Sequence, residues 1–108
     1  MTTISKLNNV VTLINVFVVK PERQAELVRL LDEATDAVMK RIDGFVSANI
    51  HRSLDGTRVA NYAQWRDEAA FKAMLQDDRA KLHMQQAAAL AERFEPVLYN
   101  VASIHDTL

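Results

Sequence analysis

The sequence predicts an α+β domain: a four-stranded antiparallel sheet with helices packed against it. Three observations carry this. Four stretches rich in Val, Ile, Phe and Tyr alternate with stretches whose apolar residues recur at helical spacing. The segments run in the order β-α-β-β-α-β, with a second helical segment after the second helix. Finally, 108 residues with a 49% hydrophobic fraction suit one compact core and leave little room for a second. Residues 1–108 therefore read as a single domain, with its core at about 10–105.

Residues 1–8 are polar and aperiodic and read as a loose lead-in. Asn9–Val19 is the first strand, rich in the β-branched residues that suit a pleated surface. One of its faces carries Val11, Leu13, Asn15, Phe17 and Val19; the other carries Val10, Thr12, Ile14, Val16 and Val18. Both are mainly apolar, so both should be buried. Pro21 ends the strand and suits the first turn of a helix, where its missing N–H costs nothing. The helix is expected over about 21–42, burying Leu27, Leu31, Ala34, Val38 and Ile42. Lys40 and Arg41 favour its C-terminal end, and Gly44 fits the left-handed residue that follows a helix.

Strand two is expected over Phe45–Arg52, with Val46, Ala48 and Ile50 facing the core. Asp55-Gly56 signals a hairpin loop, so strand three, over 58–65, should pair antiparallel with strand two. On strand three Val59, Asn61, Ala63 and Trp65 share one face, and Ala60, Tyr62 and Gln64 the other. Asp67 is a good N-cap for the next helix, whose stripe is Phe71, Met74 and Leu75. Asp77-Asp78 should interrupt it and cap a segment over 79–93 that presents Leu82, Ala87, Leu90, Ala91 and Phe94. After Pro96, Val97–Ile104 reads as the last strand.

This order is that of the ferredoxin-like split βαβ fold, whose helices cover one sheet face. The first strand is apolar on both faces, and no element of the chain is left over to cover the second. A second copy is the simplest cover, so two sheets should meet face to face in a homodimer. A cavity is expected where the two sheets fail to fill the space between them, with Asn15, Asn61 and Trp65 on its wall.

Composition excludes several function classes. Thirteen basic and fourteen acidic side chains nearly cancel, which argues against nucleic acid and anionic membrane as partners. With no cysteine there is no disulfide and no thiolate chemistry. No apolar run approaches the roughly 20 residues that span a bilayer. Residues 1–9 lack the apolar core of a signal peptide, so the expected location is the cytoplasm. His51, His83 and His105 come from a strand, a helix and the tail without metal-site spacing, so no metal is expected. Of the three, His83 is the most interesting: it reads either as a solvated surface histidine or as one that tilts from the helix over the sheet and acts as an acid or base. The acidic residues of 22–43 repeat on one helical face and read as solvated. The residues alone lead to a dimeric α+β domain with an apolar cavity and a few polar groups on its wall.

Five stretches together resemble the antibiotic biosynthesis monooxygenase domain family, over about residues 10–105. They are Thr12-Leu13-Ile14-Asn15-Val16-Phe17, Lys20-Pro21-Glu22, Gly44-Phe45-Val46-Ser47-Ala48, His51-Arg52-Ser53 and Asn61-Tyr62-Ala63-Gln64-Trp65. The resemblance implies a dimeric α+β barrel. It also implies a monooxygenase that oxidises a hydroxylated aromatic or quinol with O2 and needs no cofactor. Asn61 and Trp65 match the family's catalytic Asn and Trp; Asn15, Phe71 and His83 are the further substrate-binding candidates. Two positions depart from the pattern. The family's tyrosine falls at Phe71, which has no hydroxyl, and its later arginine has only Arg79 nearby. Haem-degrading relatives would use Asn15 and His83, but the tryptophan they need falls at about Met74. A non-catalytic dimeric module that binds an apolar small molecule is the competing class.

Overall fold

The computed structural model describes residues 2–6 and 9–108; Met1, Leu7 and Asn8, part of the expected lead-in, lie outside the described residues. Its strands are β1 (Val11–Val18), β2 (Phe45–Arg52), β3 (Arg58–Trp65) and β4 (Arg93–Tyr99). Its helices are α1 (Gln24–Ala37), α2 (Glu68–Leu75) and α3 (Asp78–Leu90). The strands form one antiparallel sheet in the order β2-β3-β1-β4, the expected α+β topology. All three helices lie over one face of it. Among the described residues no helix is long and apolar enough to cross a membrane.

The first helix is shorter than its periodicity suggests. Pro21–Arg23 forms a tight 3-10 turn and the α-helix starts only at Gln24. At the far end Val38 leaves helical geometry (φ −125°, ψ −60°), and Met39–Arg41 makes another 3-10 turn. Val38 is still buried, so the apolar stripe runs past the end of the α-helix itself. Gly44 has φ +88°, as expected after a helix, and a Cβ there would collide with Ala70 at the start of α2. Glycine is required on both counts. Arg66 N–H donates to the Gly44 carbonyl at 2.7 Å, and its guanidinium reaches the Asp43 carboxylate at 3.2 Å. The end of the first helix region is thus tied to the end of β3, where Trp65 lies.

Strand two departs from its expected alternation. A β-bulge between Phe45 and Ser47 puts two residues opposite one on β3. Phe45 therefore turns to the helix side beside Trp65, and Val46 is left exposed. The rings of Phe45 and Trp65 meet edge to face, with centroids 5.6 Å apart. Beyond the bulge Ala48 and Ile50 face the helices as expected.

The β2–β3 hairpin closes on an acid-centred loop. Asp55 accepts from Ser53 Oγ (2.8 Å), Thr57 N–H (3.0 Å) and Thr57 Oγ1 (2.7 Å). These bonds, led by the Thr57 hydroxyl, lower the Asp55 carboxyl from 3.8 to about 2. A lowered carboxyl stabilises the loop above its ordinary value and loses that contribution as pH falls through the shifted one. We expect the stability difference between wild type and Asp55→Asn to be constant above about pH 4 and to shrink towards pH 2. Urea melts of both proteins across that range measure it; a difference that does not change with pH would contradict it.

The α2 and α3 starts are as expected. Asp67 accepts from Ala70 N–H at 2.7 Å, and Asp77 from Arg79 and Ala80 N–H at 2.9 and 3.1 Å. The buried stripe of α3 is different. Ala80 and Ala87 are buried, with His83 and Met84 between them, and Leu82 points to solvent at 54% exposure. Helical phase puts Ala80, His83, Met84 and Ala87 on one face and turns Leu82 away from it. Residues 91–93 are not helical, because β4 begins at Arg93 rather than after Pro96. Pro96 sits inside β4, which an edge strand tolerates because one side has no ladder to break. Phe94 consequently belongs to the sheet, 6.0 Å from Phe17, and residues 100–108 are not strand.

The lead-in is also not loose where it is described. Asn49 Nδ2 donates to Thr2 Oγ1 at 2.8 Å, and Gln64 Nε2 donates to the Thr3 carbonyl at 2.7 Å. Ser47 Oγ donates to Gln64 Oε1 at 2.7 Å. This segment covers the far sheet face at the β2–β3 edge, over the buried Ser47 and Gln64. The rest of that face carries Ile14, Val16 and Tyr62, with the exposed Val97 and Tyr99 on β4.

Candidate active site

A cavity of about 340 Å³ lies between the sheet and the helices of one chain. The sequence reading puts Asn15, Asn61 and Trp65 on the wall of a space between two facing sheets; in the structure these side chains face the helices and line the cavity within one chain. The cavity arises from volume. The layer over the sheet presents Ala34, Ala80 and Ala87, and the sheet answers with Ala48 and Ala63. Side chains this small leave the middle of the layer unfilled. The volume is at the lower end of what small-molecule sites occupy.

The floor is built by register. Asn15 of β1 stands directly opposite Asn61 of β3, with Pro96 of β4 opposite Asn15 on its other side. The next row is Ala48, Ala63, Leu13 and Leu98, and Trp65 with Phe45 closes that end. Asn61 and Trp65 are four residues apart on one face, hence about 13 Å apart along the strand. Ala63 between them keeps the floor flat. Helices supply the roof: Leu31, Ala34 and Thr35 from α1, then Phe71 and Met74 from α2, and His83 and Met84 from α3. Met39, in the 3-10 turn after α1, completes one side.

The wall is aliphatic and aromatic except at four places. Asn15 Oδ1, Asn61 Oδ1, Trp65 Nε1 and His83 Nδ1 are all buried and have no hydrogen-bond partner among the described residues. All four residues line this cavity. The one other polar side chain named on the wall, Thr35, is already committed, donating to the Leu31 carbonyl at 2.8 Å. A buried polar atom without a partner costs about 1–3 kcal/mol, and native folds keep few. Four in one apolar space form a recognition pattern: oxygens on the floor, an N–H at one end and an imidazole nitrogen on the roof.

The fold thus brings together every site residue expected from the sequence, Asn15, Asn61, Trp65, Phe71 and His83. The other histidines stay apart. His51 is exposed on β2, with Nδ1 3.2 Å from the Asn49 carbonyl, and His105 is exposed near the C-terminus. Among the described residues no three His, Asp or Glu side chains come together. Sequence reasoning missed Met39, Phe45, Phe94 and Met84 as wall residues. Only Met84 had a legible signal, the spacing of Ala80, Met84 and Ala87 along one helical face.

The family model for antibiotic biosynthesis monooxygenases matches residues 10–89. The chain belongs to this family. Tetracenomycin-F1 monooxygenase of Streptomyces glaucescens is 44% identical over 101 residues, 94% of this chain and 89% of that protein. Among solved structures, the family's fold recurs in the ActVA-Orf6 monooxygenase of Streptomyces coelicolor, bound to nanaomycin D. It is 27% identical, with a TM-score of 0.79 and 94% of each chain covered. SnoaB, a cofactor-independent oxygenase from Streptomyces nogalater, is 26% identical with a TM-score of 0.77, covering 89% of this chain and 96% of that one. As a family member with this relative, the chain is a monooxygenase.

Proposed function

We propose that this family member oxidises a hydroxylated aromatic small molecule with O2, without a cofactor. The observation that carries the reading is the set of four unpaired polar atoms in one apolar cavity. A flat ring system with oxygens at its edges satisfies them and displaces nothing else. Asn15 and Asn61 accept from ring hydroxyls, Trp65 donates its indole N–H to a carbonyl or to developing oxyanion, and Phe71 packs on the ring. An electron-rich hydroxyarene, once deprotonated, reduces O2 itself. The protein then contributes orientation, exclusion of water and hydrogen bonds to the new negative charge. The relatives' names support the same class: a monooxygenase of tetracenomycin F1, a monooxygenase that binds nanaomycin D and a cofactor-independent oxygenase.

The overall change conserves atoms simply. A ring methylene flanked by two aryl groups becomes a carbonyl, taking one oxygen atom from O2 while the other leaves as water. An oxygen electrode with hydroxyanthrones tests this, and we expect one O2 consumed per quinone formed. Tight binding with no uptake beyond autoxidation across the panel would favour a non-catalytic binding module instead. We further assign the working unit as a homodimer, because the far face keeps Ile14, Val16, Val97 and Tyr99 under no helix or strand among the described residues. Sedimentation as a monomer at micromolar concentration would remove the dimer and leave the chemistry standing.

A further inference from the structure

The geometry points to His83 as the base that takes the substrate's hydroxyl proton; this rests on the oxygenase reading above and names its first step. Among the described residues lining the cavity, His83 is the only side chain with a basic nitrogen. Its Nδ1 is buried in the cavity wall and unpartnered. The residue as a whole is half-buried.

The surroundings sharpen the assignment. No Lys or Arg lines the cavity. A hydroxyarene that ionised in water would lose its hydration on entry and meet no opposite charge, which is costly. The substrate is therefore bound neutral and ionised inside, where the imidazolium formed becomes the counter-charge. The charged groups around His83 are engaged or directed elsewhere. On α3, Arg79 lies one turn earlier with its guanidinium on Asp77 at 3.2 Å. From α1, Arg29, Asp32, Glu33 and Asp36 line a separate outer groove against β2. From β4, Arg93 and Glu95 alternate away from Phe94, Pro96 and Leu98, which face the cavity. The facing parts of α2, β1, β2 and β3 bring no titratable side chain to the wall.

The step balances. The lone pair of Nδ1 takes the O–H proton of the anthrone's enol form, in which the former methylene carbon carries a single hydrogen, and the bonding pair stays on oxygen as an aryloxide. The aryloxide passes electrons to O2, and a carbon–oxygen bond forms at the activated ring carbon. The imidazolium returns its proton to the outer peroxide oxygen. Loss of the C–H proton with cleavage of the O–O bond leaves a carbonyl and one water.

The test uses 1,8-dihydroxyanthrone and O2 uptake between pH 5 and 9 for wild type, His83→Gln and His83→Ala. The wild type should lose activity on the acid side. His83→Gln should be slower by about 100-fold or more at pH 7 and should lack that limb, recovering only where the phenol ionises unaided. Added 4-methylimidazole should restore part of the His83→Ala rate, which a purely structural role would not permit. An anaerobic spectrum supplies a readout independent of turnover and of variant folding. Bound to wild type, the phenol should show its aryloxide band below the pH at which it ionises in solution; a neutral phenol spectrum there would overturn the assignment. A His83→Gln protein that keeps both rate and acid limb overturns it as well, with the oxygenase reading intact. If the wild type consumes no O2, the oxygenase reading falls and this inference falls with it.

Discussion

Asn61→Leu is expected to make the protein more stable and to remove its turnover. Asn61 Oδ1 is buried without a partner in an apolar space. Leucine removes that oxygen and pushes apolar volume into a cavity that has room for it. The gain should be about 1–2 kcal/mol, the usual cost of an unsatisfied buried polar group. For a domain near this size that raises the melting temperature by roughly 5–10 °C. Oxidation of a hydroxyanthrone should fall by at least ~100-fold, because the floor loses its hydrogen bond to the substrate. Opposite signs for stability and activity are the mark of a group held for function against the preference of the fold. Thermal melts and oxygen uptake on one preparation test both halves. A less stable Asn61→Leu would mean that the amide supports the sheet, and would remove it from the site.

The second large effect is expected at Trp65, where the phenylalanine variant keeps an aromatic ring and loses the N–H. Trp65 is 2% exposed and its Nε1 has no partner among the described residues, which leaves that hydrogen-bond donor unused there. If it serves charge that develops during oxidation, kcat should drop about 10²–10³-fold with KM changed only a few-fold. A rise in KM at constant kcat would instead assign the indole to ground-state binding. The stability loss should be modest, about 1–2 kcal/mol, since the replacement ring still fills most of the space and still meets Phe45. Together the two variants separate the floor of the cavity from its end wall.

How far these residues were legible in the sequence depended on how local their signals were. Strand alternation puts Asn61 and Trp65 on one face, because a period of two needs no tertiary information. The hairpin over 53–57, with Asp55-Gly56 at its turn, is similarly local, and it fixed β2 against β3. The capping carboxylates of Asp67 and Asp77 were equally readable, since each serves N–H groups within three residues. The family resemblance added roles to residues that the pattern had only placed.

What failed was non-local. The bulge that turned Phe45 inward and Val46 outward depends on how β2 accommodates β3 beside Trp65, which neither strand records alone. Leucine's apolar side chain points to a core role for Leu82; the actual α3 face is Ala80, His83, Met84 and Ala87, because the helix phase is set by how α3 sits on the layer beneath it. Pro96 suggested a strand start, yet an edge position removes the penalty that makes proline a strand breaker.

The sequence by itself determined the α+β order, the strand faces and the identity of the polar groups, since each follows from local periodicity and side-chain chemistry. Only the tertiary structure decided where those groups meet. Register set Asn15 against Asn61, small side chains on α1, α3 and the sheet left space above them, and the path of α3 brought His83 Nδ1 into that space. The physical reason is that a cavity is a property of volumes contributed by several elements at once. No single stretch of the chain carries it.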